Sequence, residues 1–191
     1  IAESVRASIS QRSSYVERDL KTAGAYVIRG EARFTGDHEI TVDGDSGRQV
    51  LEGRHIVFAT GSEPRFFPNV EPDRDRIIAP RHTQKLGERP ESLVMIGGGV
   101  TGVEYASVFA RMGTEVTIIT DVDRILPPFD REYAVMLQEK LGELGVNLEL
   151  NQPVDSVTAT SDDVVTRTRS GREFRSSYAF VATGRLGDLT F

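Results

Sequence analysis

A glycine-rich segment near the middle of the chain carries the clearest chemical signal. Its residues have the spacing G-x-G-x-x-G, the fingerprint of loops that hold the pyrophosphate of a dinucleotide. Gly97 would make the tight turn, Gly99 would let a pyrophosphate approach the backbone, and Gly102 would let the next helix press on the strand. The amides and the dipole of that helix start would hold the phosphate charge. Because a structural turn would not need three spaced glycines, we expect the whole segment to bind a cofactor: Gly97, Gly98, Gly99, Val100, Thr101 and Gly102.

A second position would choose between the two nicotinamide cofactors. In dinucleotide-binding folds an acidic residue about 20 residues beyond the glycine loop accepts hydrogen bonds from the ribose 2′-hydroxyl. Here that position reads Thr120-Asp121. Asp121 would accept these bonds and repel a 2′-phosphate, whereas the nearby Arg124 would attract a 2′-phosphate. In a third interpretation the two residues are a solvated charge pair without a binding role. We expect NAD as the cofactor, with NADP as the alternative.

Other chemistries have little support in the sequence. Three histidines, His38, His55 and His82, lie far apart without ligand-like spacing, so we predict no metal site. No serine lies in a G-x-S-x-G motif, so acyl transfer has no anchor. Because the chain has no cysteine, it cannot supply a disulfide, a Cys-ligated metal or a reactive thiol, and redox chemistry would need a borrowed cofactor.

Composition narrows the class of protein further. The length of 191 residues suits one complete domain and part of another, at roughly 150 residues per domain. A net charge of −6 argues against binding to nucleic acid. Apolar runs fall far short of the roughly 20 residues that span a bilayer. The first residues carry neither a Met nor a secretion pattern, which predicts a portion of a longer protein and, by default, a cytoplasmic location.

The first third of the chain reads as a helix followed by strands. Residues 2–20 have apolar positions near helical spacing and predict an exposed amphipathic helix. A small antiparallel meander is predicted from residues 25–28, 39–42 and 48–51, which turn-forming residues separate. The apolar residues 55–59 are typical of a strand buried on both faces.

Beyond a proline-containing linker at residues 63–72, the pattern becomes β-α-β. A strand at residues 92–96, a helix at 103–112 and a strand at 115–119 enclose the glycine loop, and a second helix follows an N-cap at Asp130. Further strands are predicted at four places, with a hairpin turn at Ser170-Gly171: residues 146–150, 154–158, 164–168 and 178–182. This order predicts an α/β fold.

One short pattern occurs twice. Residues 55–62 and residues 178–185 are each an apolar strand, then Ala-Thr-Gly, then a polar residue. Chance recurrence of a common strand ending is one explanation, and two related nucleotide-binding domains are the other.

Three segments together resemble the pyridine nucleotide-disulfide oxidoreductases, a family that includes dihydrolipoamide dehydrogenase, glutathione reductase, mercuric reductase and soluble pyridine nucleotide transhydrogenase. They are residues 58–64, 95–106 and 181–185, and their order and spacing match throughout. The resemblance implies a partial FAD-binding segment at residues 1–66. It also implies a Rossmann-like NAD(P)-binding domain with its return strand at residues 67–191, in which a parallel sheet is joined by an antiparallel β meander.

The resemblance also implies binding residues. FAD would contact four residues of the first segment: Ala32, Thr60, Gly61 and Ser62. NAD would be surrounded by the glycine loop and by Glu104, Thr120, Val154, Gly184 and Arg185. Read from the sequence alone, Glu104 is either a first-turn carboxylate stabilised by the helix dipole or a contact to the nicotinamide amide.

The family's activity would be hydride transfer between NAD(P)H and a flavin, with dihydrolipoamide dehydrogenase as the most similar member and transhydrogenase or mercuric reductase as alternatives. Thr120 stands where dihydrolipoamide dehydrogenases usually carry Glu. The cysteine pair and catalytic His of the family are absent, so we expect no catalytic residue in this chain and no turnover by it alone. The parent would be a homodimer. The competing hypotheses are a non-catalytic dinucleotide-binding module and a structural domain without nucleotide affinity.

Overall fold

The computed structural model describes residues 2–188, with side chains from residue 7 onward. The chain forms two compact units, and each has its own strands and helices. The first unit is the part of the chain up to Glu63 together with the residues from Gly187, and the second unit is Pro64–Leu186. Within the described residues no helix combines the length and apolar character that a membrane crossing needs.

The first unit contains one long helix and a three-stranded meander. Helix α1 spans Ala2–Thr22, as the sequence predicts. Strands β1, β2 and β3 pair antiparallel in that order, and the chain then leaves the unit through a short strand, β4. Their bounds are Glu31–Gly36 for β1, Glu39–Gly44 for β2, Gly47–Glu52 for β3 and Ser62–Pro64 for β4.

Two strands predicted in this unit are wrong. Residues 25–28 form no strand, and the meander begins instead at Glu31, which pairs with Asp43 of β2. Residues 55–59 also form no strand, and Val57 is 86% exposed rather than buried on both faces. In both cases an apolar run has no neighbouring strand among the described residues to accept its hydrogen bonds, and a strand is stable only when it is paired.

The second unit is built around a five-stranded parallel sheet with the strand order β5-β12-β6-β7-β8. Helix α2 connects β6 to β7, and helix α3 precedes β8. A separate antiparallel sheet has the order β11-β10-β9. The bounds are β5 Ile77–Ile78, β6 Ser92–Ile96, α2 Val100–Arg111, β7 Glu115–Ile119, α3 Arg131–Glu143, β8 Asn147–Glu149, β9 Val154–Ala159, β10 Val164–Thr168, β11 Glu173–Ser176, β12 Tyr178–Val181 and β13 Arg185–Gly187, with a 3-10 helix at Pro80–Lys85.

The sequence predicts the central part of this unit well. The predicted strand, glycine loop, helix and strand of residues 92–119 are confirmed, as are the α/β class and the parallel sheet. Strands β5, β11 and β13 and the 3-10 helix are additions that the pattern did not indicate. Asp130 does occupy the N-cap of α3, but its side chain makes no capping hydrogen bond.

Both faces of the parallel sheet are covered, which explains why its strands are continuously apolar. Leu93 and Met95 of β6 pack with residues of α2 and α3 on one face. Val94 and Ile96, which alternate with them, pack with Val157 of the antiparallel sheet on the other face. The second unit is therefore a three-layer structure, and the carboxyl ends of its parallel strands lie at one edge.

Candidate functional site

The glycine loop begins where three parallel strands end. Gly97 follows β6 with φ +111°, a conformation that favours glycine. Its amide donates a hydrogen bond to the carbonyl oxygen of Ile119, the last residue of β7, at 2.8 Å. A Cβ on Gly97 would collide with the carbonyl oxygen of Ala182, which follows β12. Glycine is thus required here by the positive φ and by the backbone that follows β12.

The other two spaced glycines have different surroundings. A Cβ on Gly102, in the first turn of α2, would collide with the carbonyl oxygen of Gly97, so only glycine allows the helix to approach the loop this closely. A Cβ on Gly99 would meet no atom within 4 Å. Gly99 has extended dihedral angles, φ −76° and ψ −176°, that any residue adopts. None of the described residues therefore requires glycine at position 99.

Helix α2 presents free amides beside Gly99. Gly99 is its N-cap residue and supplies no side-chain hydrogen bond to the helix, while its carbonyl oxygen accepts from the amide of Val103 at 3.0 Å. The amides of the three residues between them have no carbonyl one turn earlier to bond with. Together with the helix dipole, these amides form a site suited to an anion.

The end of β7 forms the next wall. Thr120 is buried, with its amide bonded to the carbonyl oxygen of Glu149 at 3.0 Å. Its Cβ lies 3.2 Å from where a Cβ on Gly98 would stand, so Thr120 packs on the loop. Asp121, the next residue, is exposed. The carboxylate predicted to read a ribose therefore follows β7 at the loop end of the strand.

A third wall comes from the segment before β9 and the hairpin between β10 and β11. The amide of Gln152 donates to the carbonyl oxygen of Thr120 at 2.8 Å, and the amide of Arg169 donates to the carbonyl oxygen of Pro153 at 2.9 Å. The Ser170 hydroxyl donates to Oε1 of Gln152 at 3.0 Å. These bonds fix the hairpin beside the end of β7.

These walls enclose a cleft of about 650 Å³ in the second unit. Seven of the residues predicted to bind NAD line it: Gly97, Gly98, Gly99, Thr120, Asp121, Val154 and Gly184. The lining also includes residues 67–70, Gln152, Asp155, Arg169 and Thr183. A volume of this size is within the range of small-molecule and cofactor sites.

The remaining predicted residues lie outside the cleft lining. Val100, Thr101, Gly102 and Glu104 are in α2, and Arg185 begins β13. Glu104 is exposed and lies beyond the first turn of α2, which contains no acidic residue, so its interpretation as a first-turn carboxylate is wrong. The four residues predicted to contact FAD belong to the first unit: Ala32, Thr60, Gly61 and Ser62.

Arg124, the residue that would favour a 2′-phosphate, is turned toward its own loop. Its Nη2 donates to the carbonyl oxygen of Pro127 at 2.8 Å, and its Nη1 lies 3.4 Å from Asp123. Arg124 is not part of the cleft lining. Two of its terminal nitrogens are thus already engaged within the loop.

Parts of the cleft that the sequence did not predict include residues 67–70, Gln152, Asp155 and Arg169. They lie far from the glycine loop in sequence, and no local spacing marks them. The one available signal was the predicted hairpin at Ser170-Gly171, which follows the predicted strand at residues 154–158 closely enough to return beside it. Among residues 2–188, no cluster of three or more His, Asp and Glu side chains is placed to hold a metal ion.

Comparison with known proteins places the chain in a family. The model of the pyridine nucleotide-disulphide oxidoreductase family matches residues 2–190. A dihydrolipoyl dehydrogenase of Bacillus subtilis is 35% identical over 179 residues, which are 93% of this chain and 39% of that protein. An NAD(P)H dehydrogenase (quinone) of Mycobacterium tuberculosis is 30% identical over 95% of this chain and 38% of that protein.

Solved structures give the same result. The crystal structure of LpdA from Mycobacterium tuberculosis matches with a TM-score of 0.90 at 28% identity, covering 99% of this chain and 43% of that one. The HOCl-induced flavoprotein disulfide reductase RclA from Escherichia coli matches with a TM-score of 0.71 at 26% identity, covering 93% of this chain and 42% of that one. This chain spans about 39% of the length of the B. subtilis relative. Because the family model covers nearly the whole chain, the protein belongs to the pyridine nucleotide-disulphide oxidoreductase family.

Proposed function

We propose that the cleft of the second unit binds a nicotinamide dinucleotide, with its pyrophosphate against Gly99 and the start of α2. The observation that carries the proposal is the contrast within the loop. Gly97 and Gly102 are required by close contacts inside the protein, whereas Gly99 faces open space and lines the cleft. A glycine that the fold does not need, beside free helix amides, fits a loop that a pyrophosphate approaches closely.

The two ends of the cleft suit the two halves of such a ligand. Asp121 and Val154 line the end next to β7, where the carboxylate would accept hydrogen bonds from the adenosine ribose. The nicotinamide would extend toward Thr183 and Gly184, which follow β12. NAD is the expected cofactor because Asp121 lines the cleft and Arg124 does not. Val100, Thr101, Gly102, Glu104 and Arg185 remain predicted neighbours of the ligand.

In the parent protein we propose that this unit positions NAD(P)H for hydride transfer to FAD. Gly61 of the predicted FAD segment has φ +85° and open space around its Cβ position, which fits close approach of a nucleotide to the backbone. Ala32, Thr60 and Ser62 would complete the contact. Bound flavin would supply the hydride chemistry, and this chain would supply binding and orientation.

Dihydrolipoamide dehydrogenase is the activity proposed for the parent, supported by the identity to relatives of that name. An NAD(P)H dehydrogenase acting on quinone is a second candidate, favoured by the Mycobacterium tuberculosis relative named for that activity. Transhydrogenase, mercuric reductase and a non-catalytic binding module remain alternatives. We expect the parent to be a cytoplasmic homodimer and this chain alone to be inactive.

Calorimetric titration of the chain with NADH, NADPH and FAD tests the proposal. We expect NADH to bind, and Gly99→Val to weaken its binding at least tenfold, because the added side chain would occupy the space of the pyrophosphate. Because Val is a much poorer N-cap residue than Gly, the variant should also lose stability on the order of 1 kcal/mol, so the affinities are compared at a temperature at which both proteins are folded.

Gly87→Val is the matched control, because Gly87 has no atom within 4 Å of its Cβ position and does not line the cleft. It should leave NADH affinity unchanged. A folded chain that binds neither nicotinamide cofactor would overturn the proposal and leave a structural domain. If the Gly99→Val variant and the unmodified chain bind NADH with equal affinity, the pyrophosphate does not lie against the glycine loop.

A further inference from the structure

The cleft has an unexplained positive charge. Arg169 is the one cationic residue among the described residues that line it. It lies in the turn between β10 and β11, and its backbone is held by the 2.9 Å hydrogen bond to the carbonyl oxygen of Pro153. A surface arginine beside a ligand cleft, on a fixed backbone, is positioned to meet a negatively charged group.

The neighbouring arginines on the same antiparallel sheet are all paired. Arg167 Nε lies 2.7 Å from Glu173, Arg172 Nη2 lies 2.8 Å from Glu149, and Arg175 Nη1 lies 2.8 Å from Asp163. Arg169 makes no ion pair with any carboxylate in the described part of the chain. The arginine that lines the cleft is thus the one whose guanidinium is left open to a ligand.

A second donor lies beside it. Oε1 of Gln152 accepts a hydrogen bond from the Ser170 hydroxyl, which in turn lies 2.9 Å from the Thr168 hydroxyl. Because its oxygen is occupied, Gln152 offers its NH₂ group, a donor, to the cleft that it lines. The hairpin therefore places a cation and an amide donor together next to the end of β7.

The residue directly after β7 carries no charge. Thr120 is neutral, buried and packed on Gly98, and the acidic residue that would read the ribose, Asp121, comes one position later. Two carboxylates, Asp121 and Asp155, also line the cleft and oppose a phosphate there. The balance of these charges, rather than a single acidic residue, would decide whether a phosphate is accepted.

We propose that Arg169 and the side-chain amide of Gln152 form a phosphomonoester subsite at the adenosine end of the cleft, so that the chain binds NADPH as well as NADH. The inference rests on the proposed dinucleotide site and adds to it the group that recognises a 2′-phosphate. It gives to the β10–β11 hairpin the role that Arg124 would otherwise have. The Asp121 carboxylate would repel a 2′-phosphate and accept the ribose hydroxyl of NADH, so NADH remains a competing ligand.

Calorimetric titrations of the 191-residue chain with NADH and with NADPH test the subsite. Arg169→Gln should weaken NADPH about tenfold or more and change NADH less than about threefold, because only NADPH carries the 2′-phosphate. Arg169→Lys should give an intermediate loss, since it keeps the charge without the planar fork. Asp121→Asn should strengthen NADPH by removing the opposing charge. Two smaller probes differ in the same 2′-phosphate, and Arg169→Gln should weaken the binding of adenosine 2′,5′-bisphosphate more than that of 5′-AMP.

Arg167→Gln is the matched control, because it makes the same change in net charge two residues away and outside the cleft lining. It should leave the ratio of NADPH to NADH affinity unchanged. If the unmodified chain binds NADH but not NADPH, or if Arg169→Gln and Arg167→Gln change the ratio equally, the subsite is refuted while the dinucleotide site stands. If neither cofactor binds to folded protein, the proposed function itself fails.

Discussion

The close approach of α2 to the glycine loop makes a quantitative prediction about two glycines in helices. In Gly102→Ala the new Cβ would stand against the carbonyl oxygen of Gly97, 3.2 Å from its carbonyl carbon and 3.5 Å from Cγ of Met95. Because the obstacle is backbone, α2 or the loop must move. Overpacking of this kind costs about 3 kcal/mol at the upper end of its usual range, and the better helix propensity of Ala returns about 1 kcal/mol. The expected net loss is about 2 kcal/mol.

Gly142→Ala is the matched control in α3, because its Cβ would meet no atom within 4 Å. There the propensity gain acts alone, and the variant should be stabilised by roughly 0.5 kcal/mol or more. Thermal unfolding followed by far-ultraviolet circular dichroism would measure both. At roughly 2–4 °C per kcal/mol, Gly102→Ala should lower the melting temperature by about 4–8 °C, whereas Gly142→Ala should raise it. Equal shifts in the same direction would refute the close approach of α2 to Gly97.

Three further predictions concern the core, the 3-10 helix and the cleft. Phe180→Ala should cost about 3–5 kcal/mol in urea unfolding, because the fully buried ring packs 4.7 Å from Tyr105, while Phe129→Ala at an exposed position should change stability by less than about 0.5 kcal/mol. Burial, together with nearby Arg and Lys charges, lowers the pKa of His82 below its ordinary 6.5, and its Nδ1 accepts a hydrogen bond from the Ala79 amide. Because the unfolded chain then binds the proton more readily, this contribution to stability is complete above about pH 6.5 and declines as the pH falls below it. His82→Gln should flatten the dependence of the unfolding free energy on pH in that range. An unchanged dependence would contradict the lowered pKa of His82. Ser170→Ala should weaken NADPH more than NADH in titrations, because it frees Oε1 of Gln152 to turn toward the ligand, and an unchanged affinity ratio would argue against that orientation.

Local patterns predicted the parts of the fold in which neighbours in sequence are also neighbours in space. The β6-loop-α2-β7 unit follows from two apolar strands, three spaced glycines and one run of helix formers, and each of these signals lies within a short segment. The meander of the first unit was predicted for the same reason, apart from its first strand.

The failures occurred where an apolar run depends on a distant partner. Residues 55–59 have the composition of a buried strand, yet composition does not say which strand would pair with them, and none of the described residues does so. The cleft shows the same limit. Thr120 and Asp121 were found by counting from the glycine loop, whereas Gln152 and Arg169 reach the cleft through hydrogen bonds of a hairpin that no spacing rule counts.

The position of β12 has a consequence for how the chain is made. This strand, Tyr178–Val181, is synthesised after the other four strands of its sheet, yet it lies between β5 and β6, with Tyr178 beside Leu93. Until it leaves the ribosome, β5 has no partner and β6 has one open edge of unpaired backbone groups. The sheet therefore closes only after residues 178–181 have emerged, and a nascent chain that stalls before residue 178 presents an apolar strand edge on which other chains can assemble.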